Sequence, residues 1–252
     1  MKVTSLFLLF LVTSMSCISQ PEVVSDIAPD HSPWTNLLKQ HVTPEGLVRY
    51  SDFKRDEKKL DNYLETLSEK APNPEKWSKE EQLAYWINVY NAFTVKLVLD
   101  HYPVESIKDI NLVNIPFVSS VWQKKFFSIG GEKMNLDHVE HSILRRKFNE
   151  PRIHFAINCA SFSCPKLLNE AFSPKKIEEQ LQHQAVTFIN DKQRNKIDES
   201  SVRLSKIFKW FKKDFTKEGD LIDFVNQYSK IEVGRGVRVN YLDYNWKLNE
   251  GK

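Results

Sequence analysis

Apolar residues between Trp34 and Leu67 recur at helical spacing with one interruption. Trp34, Leu37 and Leu38 open an amphipathic segment, Pro44-Glu45-Gly46 turns the chain, and Leu60, Tyr63, Leu64 and Leu67 resume the period. The pattern predicts helix, break, helix over residues 34–69. Ser78-Lys-Glu-Glu81 then has the form of a capping box, in which hydroxyl and carboxylate satisfy the free N–H groups of a helix start. A long helix to about Tyr102 follows, ended by Pro103.

From Leu83 to Leu99 that helix is apolar nearly all the way round, which places it in the centre of a fold. Asn88 and Asn91 break the rule on neighbouring parts of one face. A buried amide without partners costs on the order of 1–3 kcal/mol, so both must be engaged. Either they bond loop backbone and fix its path, or they line a pocket.

The rest of the chain alternates short elements. Val121 to Ile129 followed by Gly130-Gly131 reads as strand and tight turn. Asn135 caps the next helix, where Leu136, Val139 and Ile143 form the buried stripe and Glu140 and His141 lie beside it. Ile153 to Ile157 reads as a short strand, followed by an irregular loop from Asn158 to Pro165. Leu167 to Phe172 and Ile177 to Asn190 read as helical, Val202 to Leu204 as a strand, Leu221 to Tyr228 as a helix and Val237 to Trp246 as extended. Helices separated by short strands predict a mixed α+β fold: a single helix-rich domain with a small β-sheet, over residues 21–252.

The first twenty residues have the layout of a signal peptide: Lys2, an apolar run from Leu6 to Val12, then small and polar residues to Gln20. The run is shorter than the roughly 20 residues of a membrane-spanning helix. Two processing outcomes fit: lipid attachment at Cys17 behind Ser14-Met15-Ser16, or cleavage after Ser19. Export to the periplasm or envelope follows, with membrane contact only through a lipid on Cys17. Removing this leader takes one Lys and no acid from 36 basic and 33 acidic side chains, leaving a nearly neutral chain. A nucleic-acid partner would call for a clustered basic excess, which is absent. No glycine-rich phosphate loop is present, and no cofactor is implied.

Several motifs, in order, resemble one family. They are Tyr85-Trp-Ile-Asn-Val-Tyr-Asn-Ala-Phe93, His101-Tyr-Pro-Val104, Leu136-Asp137 leading to Glu140-His141, Pro151-Arg-Ile-His-Phe-Ala-Ile-Asn-Cys-Ala-Ser161, Ser163-Cys-Pro165 and Leu242-Asp-Tyr-Asn-Trp-Lys-Leu-Asn249. The chain resembles the domain of unknown function 547 family along nearly its whole length beyond the leader. The resemblance implies a fold similar to the papain and transglutaminase group, circularly permuted, and with it a thiol-dependent active site.

Cys159 is then the candidate nucleophile. A thiol needs a neighbouring His or helix N-terminus to be ionised at neutral pH. His154 shares the expected strand, where alternation points it away from Cys159. His141, from another element, is therefore the expected base, with Glu140 or Asn158 orienting it. Backbone N–H groups of Ala160 to Cys164 are the candidate oxyanion donors, and Asn88, Asn91, His154, Asn158 and Ser161 are the candidate binding residues. Two other readings stay open. Cys159 and Cys164 can form a disulfide in an exported chain, leaving a non-catalytic binding module. His138, His141, Cys159 and Cys164 also supply zinc-type ligands, although at no standard spacing. Phe208, Trp210, Phe211 and Phe215 read as core packing. A cysteine hydrolase or acyl transferase acting on an amide or ester, with a small-molecule or peptide substrate, is the leading expectation.

Overall fold

The computed structural model describes residues 23–110 and 120–251. The leader read in residues 1–20, with Cys17, lies outside the described residues. The N-terminal layer forms as its periodicity predicts: a helix Ser32–His41, a turn in which Gly46 takes φ +80°, a short helix Tyr50–Phe53 and a helix Glu57–Glu69. Trp34 stacks on Tyr63 at 5.9 Å between ring centres and joins the first of these helices to the last.

The central helix spans Lys79–His101 and starts on the expected capping box. Ser78 Oγ accepts from the Glu81 N–H at 3.1 Å, and Glu81 Oε2 accepts from the Ser78 N–H at 2.7 Å. Every side chain from Leu83 to Val95 is buried, as a helix without a polar face requires. It packs against Glu57–Glu69 and against the helix carrying Glu140 and His141. Lys96, its one cation in this stretch, is held by Glu57, Asp61 and Asp100 at 2.8, 3.0 and 2.8 Å.

The fold is a mixed α+β domain whose strands, among the described residues, are divided among three small sheets. Val24–Ser25 runs parallel to Ala71–Pro72. Phe127–Ile129 and Glu132–Met134 form an antiparallel hairpin, closed by Gly130 and Gly131 at positive φ, where a side chain would be strained. Ser201–Leu204 lies between Lys196–Asp198, antiparallel to it, and Val239–Tyr241, parallel to it. Among the described residues no helix is long and apolar enough to cross a membrane.

Two apolar clusters hold these elements. The larger surrounds the central helix, and the smaller is rich in aromatic rings from Phe155, Phe188, Phe208, Phe215 and Phe224. Residues 153–157 pass between them, with Ile153, Ala156 and Ile157 in the first and Phe155 in the second.

Three local expectations are corrected. The strand read over Val121 to Ile129 is confined to Phe127–Ile129, behind a helical turn at Val121–Gln123. Ile153–Ala156 is a helical turn rather than a strand. Pro151 presets a helical start, and the Glu150, Pro151 and Arg152 carbonyls accept from the next N–H groups at 3.2, 3.3 and 2.9 Å. Leu167 to Phe172 is irregular rather than helical, because side chains take its backbone groups. Thr35 Oγ1 accepts from the Ala171 N–H, Asn88 Oδ1 accepts from the Phe172 N–H, and Gln180 donates to the Ala171 carbonyl.

Candidate functional site

The loop Asn158–Pro165 is fixed from every side. Asn91 donates to the Ala156 carbonyl at 2.9 Å and accepts from the Asn158 N–H at 2.8 Å. Asn158 donates to the Pro165 carbonyl at 2.7 Å and accepts from the Ala160 N–H at 2.8 Å, tying the two ends of the loop together. Arg194 bonds the Cys164 and Phe162 carbonyls, each at 2.8 Å. The C-terminal segment runs alongside, with Phe162 N–H on the Lys247 carbonyl and Asn249 N–H on the Ala160 carbonyl. Within this frame Ala160 sits at φ +61°, a left-handed conformation that costs a non-glycine residue roughly 1–2 kcal/mol. The strained residue is the one after Cys159.

Cys159 and Cys164 are joined by a disulfide, the pairing that the sequence left open beside a free nucleophile. Cys159 is half-buried, whereas Cys164 is fully buried. Cys164 Sγ lies 3.0 Å from the Cys159 backbone nitrogen, 3.2 Å from Ser161 Oγ and 3.3 Å from the Tyr244 hydroxyl. Cys159 Sγ lies 3.4 Å from Ser161 Oγ and 3.4 Å from the Tyr244 hydroxyl. Ser161 and Tyr244 also meet each other at 3.0 Å.

A second network joins charged groups from three segments of the chain. His138–Leu144 is wound as a π-helix, a form frequent at functional sites, and it begins where Asn135 Oδ1 accepts from the His138 N–H at 2.7 Å. Glu140 projects from it into the interior, and burial pushes its carboxyl up to about 7. The Tyr90 hydroxyl lies 3.5 Å from Glu140 Oε2. His154 Nε2 bonds Asp214 Oδ2 at 2.8 Å, while its buried Nδ1 has no hydrogen-bond partner and stands 3.9 Å from Glu140 Oε1. Burial drives the His154 imidazole down to about 4, against the pull of Asp214. It is therefore neutral at pH 7, and the bond to Asp214 sets the proton on Nε2 and a free lone pair on Nδ1. Burial pushes the Asp214 carboxyl up, but hydrogen bonds from His154 and Arg145 hold it well below the usual carboxylate range. Arg145 reaches Asp214 at 2.6 and 3.1 Å.

His141 is placed differently from the expectation. Arg145 donates to its Nδ1 at 2.8 Å, and its Nε2 faces Asp137 at 3.4 Å, so both ring nitrogens are engaged. The alternation argument that favoured it over His154 fails because residues 153–156 are helical. Of the oxyanion donors expected in the loop, the N–H groups of Ala160, Phe162, Ser163 and Cys164 bond within the protein.

Cys159, Cys164, Glu140, His141 and His154 nevertheless line one cavity of about 200 Å³, with Asp137 and Tyr90. Its apolar walls are Trp122, Trp210, Phe211, Tyr244 and Trp246. Tyr244 and Trp246 lie 4.5 Å apart between ring centres, and Trp210 lies 4.8 Å from Tyr244. Phe211 stacks on His154 at 3.9 Å. Phe208 and Phe215 are core residues, as expected, but Trp210 is 47 % exposed and belongs to this wall with Phe211. Asn88 and Asn91 serve loop backbone, the architectural alternative of the two expected, and Asn158, expected to orient or bind, also bonds loop backbone. Among the described residues no group of three or more His, Cys, Asp or Glu side chains converges as metal ligands.

Sequence reasoning missed Asp214, Arg145 and Tyr244. Asp214 lies in the charged run Lys212-Lys-Asp214, which reads as a solvated surface, and nothing local marks it as the partner of a histidine sixty residues away. Tyr244 lies within one of the motifs quoted for the family, which was its only signal.

No curated protein and no solved structure matches the chain. One comparison does. Residues 74–189, which contain the capping box, the π-helical segment and the whole Cys159 loop, match the family described as protein of unknown function, DUF547.

Proposed function

We propose that the chain is a thiol-dependent hydrolase or acyl transferase of the cell envelope, reached through the leader in residues 1–20, and that it acts on an amide or ester. Cys159 is the nucleophile once its bond to Cys164 is reduced. The observation that carries the reading is the Asp214–His154 pair: an imidazole oriented by a carboxylate on one nitrogen, with the other free, in the same cavity as the more exposed sulfur. A carboxyl poised at about 7, Glu140, is the second proton carrier.

In this reading the Cys159 thiolate adds to the carbonyl carbon, with His154 Nδ1 taking the thiol proton. Tyr244, whose hydroxyl is held in its protonated form by burial, donates to the developing oxyanion in place of the loop amides. The leaving amine or alcohol departs with the proton held by His154. Water, or a second acceptor, then releases the acyl group from sulfur. The permuted papain-like arrangement implied by the family resemblance belongs to the same proposal.

The test uses Cys164→Ser, which leaves Cys159 unpaired without added reductant. With p-nitrophenyl acetate it releases a burst of about one equivalent of p-nitrophenol per chain, and adding His154→Gln slows that burst by about 10²-fold or more. A burst no faster than that of the unfolded chain would remove the proposal.

A second reading keeps the disulfide closed and uses the aromatic walls as a binding surface. It is favoured by the bond itself and by the exposed Trp210. Ligand binding unchanged in a Cys159→Ser, Cys164→Ser double variant would support it.

A further inference from the structure

We infer that the Cys159–Cys164 disulfide is a two-electron redox pair that exchanges with a low-molecular-weight thiol, Cys159 being the sulfur attacked and Cys164 the sulfur that leaves. The inference rests on the reading of Cys159 as the reacting sulfur of this cavity and adds how that sulfur is released.

The two sulfurs differ in access and in hydrogen bonding. Cys159 is half-buried and lines the cavity, whereas Cys164 is 2 % exposed. Three donors surround Cys164 Sγ: the Cys159 N–H, the Ser161 hydroxyl and the Tyr244 hydroxyl. A sulfur in a disulfide is a weak acceptor and gains little from them. A thiolate is a strong one. While the bond is closed, the Ser161 hydroxyl is shared between Cys164 Sγ at 3.2 Å and the Tyr244 oxygen at 3.0 Å. When Cys164 becomes anionic, both hydroxyl protons turn to it and join the backbone N–H. Arg194, bonded to the Cys164 carbonyl at 2.8 Å, places a guanidinium beside the same residue. Donors that strengthen when charge develops on the leaving sulfur lower the barrier to cleavage, since exchange is faster when the leaving thiolate is better stabilised.

The step balances without a further reagent. A thiolate RS⁻ attacks Cys159 Sγ, the S–S bond breaks, and Cys164 leaves with the bonding pair as a thiolate. The product is a mixed disulfide between R and Cys159. A second thiolate attacks the R sulfur of that disulfide, giving RSSR and a Cys159 thiolate. The pair gains two electrons and two small thiols lose them. A cavity of about 200 Å³ admits a thiol of the size of free cysteine rather than a folded partner.

The experiment incubates the oxidised full chain with L-cysteine, quenches with N-ethylmaleimide at intervals, and reads intact mass and peptide maps. The expected record in the peptide maps is a transient cysteine adduct on Cys159 and none on Cys164, followed by maleimide labels at both positions. With cystine, Cys164→Ser captures a stable adduct at Cys159, and Cys159→Ser reacts at Cys164 at least about tenfold more slowly because that sulfur is buried. Tyr244→Phe, checked for folding by circular dichroism, slows cleavage of the oxidised pair by about tenfold, the loss of one hydrogen bond to a charged group. A pair that survives excess cysteine in the folded chain but not in the unfolded one overturns the inference, as does an adduct on Cys164. The ester burst of Cys164→Ser needs no reduction, so its failure and the failure of exchange are separate results.

Discussion

Two sets of buried polar groups are built on opposite principles. Along the central helix, Asn88 and Asn91 each spend both ends of their amide on loop backbone, at 2.8 to 3.0 Å. In the cavity, His154 has one nitrogen bonded and one unpartnered, and Glu140 is buried in reach of a single tyrosine hydroxyl. Satisfied amides hold a shape and have nothing left to offer. Titratable groups left short of partners retain the capacity to bind or pass a proton, and their cost is carried by the frame around them. The difference teaches where bonding capacity is kept: the asparagines fix the loop that carries Cys159, while His154 and Glu140 retain unspent capacity in the cavity beside it.

This contrast can be broken at several points. The largest effect belongs to His154→Gln in the Cys164→Ser background. Gln keeps a donor for Asp214, so the ester burst falls by about 10² to 10⁴-fold while urea denaturation shows a smaller stability loss than any asparagine variant. Asn91→Ala does the reverse. It strands the Ala156 carbonyl and Asn158 N–H inside the protein and costs about 2–4 kcal/mol by urea denaturation.

Glu140→Gln comes next and reports through pH. The Glu140 carboxyl is raised to about 7 from an ordinary value of 4.5, so the folded chain holds its proton more tightly than the unfolded chain. Its contribution to stability is full below about 4.5 and is lost as pH rises through about 7. The variant flattens that window, recovering roughly 1–3 kcal/mol at pH 8 relative to the native chain. His154 works in the other direction: neutral in the folded state down to about 4, it contributes fully above 6.5 and less as pH falls toward 4. Unfolding free energies from pH 4 to 8 separate the two. The smallest effect is Ala160→Gly, which relieves the left-handed residue and raises stability by up to about 1 kcal/mol without moving the burst.

The parts of the fold legible in the sequence were those with a long period or a strong local device. The central helix, its capping box, the Asn135 cap and the Gly130-Gly131 turn are of this kind. The four-residue turn Ile153–Ala156 was not legible as a helix, since an apolar run that short has no period and its hydrogen bonds come from Glu150 to Arg152. Within the site, Cys159, Glu140 and His141 stood out by residue type and motif. Which of His141 and His154 keeps a free nitrogen was hidden for the same reason as the turn: it depends on Arg145 and Asp214, and one of these comes from a distant, charge-rich segment.

The account stands on Cys159 being a sulfur made reactive by its cavity. The most direct measurement is the rate of iodoacetamide alkylation of Cys164→Ser at pH 7, native and in urea, read by mass. The account predicts alkylation of the native chain at least about tenfold faster than of the unfolded one, with the advantage lost in His154→Gln. A native rate at or below the unfolded rate, indifferent to His154, would contradict it.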